Sequence, residues 1–151
     1  MSNHNQLKAI FYLSVLGTAF ASIVTWRSVI APSSTHGIFS CVGLKVLGWS
    51  PCPYGLTIFT LLTVLSGLII SGHLLITTKN YWLFNGVAWL GVVFAGWVGY
   101  RELILPALAR GNDYWQNFNP WAVPACVWGF FVFLAVAILM ITVKPATPTI
   151  N

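Results

Sequence analysis

The chain has 151 residues, is 58% hydrophobic and only 6% charged, and has a mean hydropathy of +0.82. A water-soluble domain carries about a quarter charged residues, so this composition excludes one and points to an integral membrane protein. The formal charge of +5 comes from seven Lys/Arg against two acids, Glu102 and Asp113, and reads as headgroup contact and topology signal rather than nucleic-acid binding.

The first span is expected over residues 9–26, after a polar tail of eight residues. Lys8, the apolar run and Ala19-Phe20-Ala21 are loosely like a signal peptide, but the run continues through Trp26, which favours a retained helix. A connection over 32–51 follows, with Cys41, Lys45 and Trp49, and its semi-apolar part 38–47 suits a short interfacial helix. The second span is expected over 53–76 and the third over 81–105, joined so tightly that they form an antiparallel hairpin. Pro106 should stop the third, with Arg101 and Glu102 near its end. A polar, aromatic connection over 106–120 leads to the fourth span, 124–143. Each run meets the roughly 20 residues needed to cross a hydrocarbon core. The expected fold is all-α: a single domain, 1–151, forming an antiparallel four-helix membrane bundle with both termini on one face. Small residues at steps of four, Gly17 and Ala21, Thr63 and Gly67, Gly91 and Ala95, form stripes along which helices approach closely. His73 stands alone near a span end, so a metal or haem site is not expected.

One short pattern recurs. Cys52-Pro-Tyr-Gly-Leu-Thr-Ile-Phe59 aligns with Cys126-Val-Trp-Gly-Phe-Phe-Val-Phe133, 74 positions on. Topology therefore gathers Cys41, Cys52 and Cys126 on one face of the membrane, two of them at helix starts. Aromatic residues on that face, Tyr54, Trp121 and Trp128 among them, would wall a pocket that opens between the second span, the fourth span and the last connection. Three such cysteines also occur as inert small hydrophobes. Their confinement to one face favours redox use.

Four spans, a cysteine in the first connection and a cysteine opening the fourth span resemble the vitamin K epoxide reductase and DsbB-like group. That family passes electrons between thiols outside the membrane and a quinone at the bundle's mouth. Its Cys-x-x-Cys frame falls on Val123-Pro124-Ala125-Cys126, so Cys126 matches the quinone-proximal cysteine and Val123 replaces the other. Cys41 resembles a cysteine of the family's loop pair, whereas Cys52 has no clean counterpart. The resemblance implies a thiol/disulfide oxidoreductase with Cys41, Cys52 and Cys126 as redox residues. It further implies Tyr54, Trp121 and Trp128 beside a quinone, and an extracytoplasmic cysteine face, although Lys and Arg are almost balanced across the two faces. Without a cysteine at 123 the relay must recruit Cys41 or Cys52, or turnover is lost. The alternative is a non-catalytic small subunit of a larger membrane complex. Partners are the lipid bilayer and a thiol-bearing protein or such a complex. Ten residues of separation favour a Cys41–Cys52 bridge with Cys126 free. The rival is Cys52–Cys126, which would staple the second span to the fourth.

Overall fold

The computed structural model describes residues 3–30, 46–111 and 123–143. Helix α1 is Asn3–Ile30 and α2 is Cys52–Ile70. The third span is α3, Thr78–Gly99, which passes through a π-helical turn, Tyr100–Ile104, into α4, Leu105–Arg110. The last helix, α5, is Ala125–Thr142. Four stretches are long and apolar enough to cross a membrane. Large apolar side chains cover the outside of the bundle, with Leu90 and Val93 60% and 66% exposed. Water would not tolerate that surface, and lipid suits it. The chain is an all-α four-helix bundle with the character of a multi-pass membrane protein.

Several boundaries depart from expectation. Helix α1 begins six residues before position 9, because Leu7 and Ile10 are buried against the bundle. At that end Gln6 Nε2 donates to Thr142 Oγ1 at 3.1 Å, which ties the start of α1 to the end of α5. The first and last described turns therefore share one face. Helix α2 stops at Ile70 rather than 76. Gly72 takes a left-handed conformation (φ 75°), closing the helix although apolar Leu74-Leu75-Ile76 continues the hydropathy run. Thr77 then caps α3 by accepting from the Asn80 backbone N–H.

Pro106 does not end the third span. It lacks an N–H and its ring crowds the preceding turn, and the helix answers by widening to π just before it, with the Leu105 N–H bonding the Tyr100 carbonyl. Most of the expected interfacial helix at 38–47 lies outside the described residues. Its last two positions are not helical: Val46 and Trp49 exchange two backbone hydrogen bonds around Leu47 and Gly48, both at positive φ.

Helix α1 packs chiefly on α2, and α3 on α5. Contacts of α1 with α5 and α2 with α3 close the ring, while α2 and α5 meet across the diagonal. Glycine sets these approaches. Phe59 of α2 lies directly over Gly17 of α1, and Phe133 of α5 lies over Gly91 of α3. Any Cβ at either glycine would enter the ring. The two phenylalanines are 3% and 1% exposed and stack on each other, so one line of contact crosses all four spans.

Candidate functional site

Cys52 opens α2 and Cys126 lies in the first turn of α5, so both stand at the end of the bundle opposite the Gln6–Thr142 contact. Proline allows each start. Pro51 is the N-cap residue of α2 with Pro53 in its first turn, and Pro124 is the N-cap of α5, where backbone N–H groups have no helical partner. Cys52 packs with Val24 of α1 and Ala125 of α5. It is disulfide-bonded, whereas Cys126 is a free thiol. The expected bridge partner, Cys41, lies outside the described residues, as does Trp121.

Both sulfurs border one apolar cleft sunk between the helix ends, enclosing about 40 Å³ of free space. Its walls come as pairs, 74 positions apart. Cys52 faces its counterpart Cys126, Gly55 and Gly129 follow one turn deeper, and Phe59 and Phe133 lie another turn on. Walls from the other two spans obey the same offset, Phe20 with Phe94 and Ala21 with Ala95, and Pro51 with Ala125 completes the set.

The short Cys-to-Phe repeat thus belongs to a longer one. With no gap, Leu16-Gly17 matches Leu90-Gly91, Arg27 matches Arg101, and Pro32 matches Pro106. The signal that sequence reasoning missed was this constant offset across the first and third spans. Each half is a helical hairpin, the halves run in the same sense, and the cleft lies between them. Parallel repeats of this kind are related by an axis along the membrane normal.

Comparison with protein-family models, curated proteins and solved structures finds no match. The reading of this site accordingly rests on its own residues.

The last connection, which the expected aromatic pocket would border, lies largely outside the described residues. Neither Tyr54 nor Trp128 lines the cleft, and it opens among all four spans. Trp128 is half exposed on the outer surface. Tyr54 instead holds the fold together locally. Its hydroxyl donates to the Val46 carbonyl at 3.0 Å, pinning the 46–49 turn, and its ring leans on Phe94. With Trp49, Pro53 and Thr57 it borders a separate, open groove on the surface.

Among the described residues, the cleft leaves no room for a quinone ring. Roughly 10–15 Å³ of such space holds one water, so 40 Å³ is room for a few waters and not for a substituted ring. Beyond backbone, the described walls offer carbon and sulfur only, with no hydroxyl or amide to meet quinone oxygens. What the arrangement does supply is a free thiol and a disulfide sulfur in one apolar recess.

Proposed function

We propose that this chain is a membrane thiol–disulfide exchange protein in which Cys126 and Cys52 react with one another. One observation carries the reading: a disulfide-bonded sulfur and a free thiol line the same cleft at equivalent positions of two repeats. Exchange proceeds by attack of a thiolate on a disulfide sulfur. Cys126 Sγ, having lost its proton, attacks Cys52 Sγ. A Cys52–Cys126 bond forms, the bond from Cys52 to its present partner breaks, and that partner leaves as a thiolate that takes up a proton. We assign the partner as Cys41, the remaining cysteine of the chain.

The step is redox-neutral, so it needs no acceptor. It releases the Cys41 thiol for exchange with a disulfide-bearing or thiol-bearing protein. This places the exchange partly within the vitamin K epoxide reductase and DsbB-like scheme, with Cys52 taking the part that Val123 leaves empty. Disulfides persist in oxidising compartments, so the reading puts the cysteine face outside the cytoplasm.

Non-reducing peptide mapping of the membrane-embedded protein in graded thiol/disulfide buffers tests it. A Cys52–Cys126 peptide should appear as the original bridge declines, and Cys126→Ser should prevent this without unfolding the bundle. If Cys126 stays a free thiol under every buffer, exchange is wrong and the chain is better read as a structural subunit of a membrane complex.

A further inference from the structure

Two sulfurs are the only side-chain donor atoms among the described walls of the cleft, and that inventory limits what the cleft can hold. Cys52 and Cys126 line it from the starts of α2 and α5, and Cys52 packs directly on Ala125, the residue before Cys126. The carbonyls at these starts are already engaged, Pro51 accepting from the Gly55 N–H and Pro124 from the Val127 N–H. Arg27 and Arg101, cations described toward this end, are exposed, and neither borders the cleft.

The resting chain offers one thiol here, since Cys52 is disulfide-bonded. Reducing that bond turns the pair into a dithiol bordering one recess. Thiolates are soft ligands and select soft metal ions. Ligand number selects further. Zinc takes four ligands in closed sites, and no cluster of three or more His, Cys, Asp or Glu occurs among the described residues. Charge selects again. A monovalent ion such as Cu(I) between two thiolates leaves a net negative charge, which is costly among carbon walls. A soft divalent ion that is satisfied by two ligands forms a neutral bis-thiolate instead. Free space of about 40 Å³ suits a single bare ion.

We propose that the reduced cleft binds a soft divalent metal ion of two-coordinate habit, with Hg(II) as the type, between Cys52 Sγ and Cys126 Sγ. A phosphine reductant first splits the Cys52 disulfide. The phosphine leaves as its oxide, taking oxygen from water, and the two sulfurs take the two protons of that water. Each S–H bond in the cleft then breaks as its S–Hg bond forms, so two protons are released and an uncharged S–Hg–S unit remains. The site needs both sulfurs as thiols and does not depend on their exchanging with one another. It is absent from the oxidised chain, so redox state gates the binding.

The test is mercury retention by the full chain in lipid nanodiscs, reduced with a phosphine and handled without oxygen. Mercuric chloride is added, followed by excess glutathione, a monothiol that strips an ion from one cysteine but competes poorly with two sulfurs held together. Cys41→Ser, which leaves only Cys52 and Cys126, should retain one mercury per chain with two sulfur neighbours by X-ray absorption. Adding Cys52→Ser or Cys126→Ser should abolish retention, and the native chain should retain none before reduction. Loss of mercury from reduced Cys41→Ser, or retention unchanged when Cys126→Ser is added, overturns the proposal. If Cys41→Ser fails to assemble, the reduced native chain decides, by N-ethylmaleimide mapping after the glutathione wash. Cys52 and Cys126 shielded with Cys41 labelled supports the site, and a labelled Cys126 overturns it. The peptide map for exchange contains no metal, so the two readings fail separately.

Discussion

Phe59 and Phe133 stack almost parallel, with ring centroids 3.9 Å apart and planes 9° from coplanar orientation. They occupy equivalent positions of the two repeats, each roofing a glycine of its own hairpin, Gly17 or Gly91. The pair therefore forms the floor of the cleft and the joint between the two halves.

Truncating either ring should be severe. Phe59→Ala and Phe133→Ala are each expected to destabilise the bundle by about 3–5 kcal/mol, the range for a buried phenylalanine. Since the rings touch, the double variant should cost less than the sum of the singles. Unfolding in detergent measures both statements, and strict additivity would show that the stack carries no coupling.

The glycines should separate into two classes. Gly17→Ala and Gly91→Ala place a Cβ inside the Phe59 and Phe133 rings and should lower the unfolding temperature markedly. Gly55→Ala and Gly86→Ala meet nothing within 4 Å and should be neutral or stabilising, by up to about 1 kcal/mol from helix propensity. Similar losses at all four sites would contradict this packing.

Cysteine reactivity should follow the pairing. In unreduced protein a small apolar maleimide should modify Cys126 and leave Cys52 untouched, with Cys52 reacting only after reduction. Recovery of Cys126 in a cross-linked peptide from the resting protein would contradict the assignment.

The docking of the N-terminal turn can be trapped. In a Cys126→Ser background, Gln6→Cys with Thr142→Cys should be bridged by a short bifunctional maleimide, because the native side chains meet at 3.1 Å. Two thiols that each take up the reagent without being joined would place the start of α1 elsewhere.

Much of this architecture was legible in composition alone. Runs of about 20 apolar residues must be helical in lipid, because nothing else satisfies the backbone there, and four of them fix the antiparallel order. The stripes of small residues at steps of four named Gly17, Ala21, Gly91 and Ala95 as contact points, and the packing uses all four. Spacing also put Cys52 and Cys126 at equivalent helix starts on one face.

Helix ends were harder, since hydropathy does not register a turn made from apolar residues. Leu74-Leu75-Ile76 reads as helix, yet a left-handed Gly72 has already closed α2. Pro106 reads as a stop, yet one π turn absorbs the missing N–H and carries the span on to Arg110. That single geometric adjustment moves Glu102 from a helix end to a turn that the helix continues past.

The sequence by itself determined that four apolar segments are spans and that Cys52 and Cys126 share a face, because those follow from local composition, period and the number of crossings. Only the tertiary structure decided what stands beside what. Tyr54 and Trp128 do not line the cleft, Phe59 finds Phe133, and a glycine at position 99 lets the end of α3 close on Val127. Those neighbours depend on how far helices rotate and approach, and that is set by contacts between residues far apart in the chain, which no local pattern encodes.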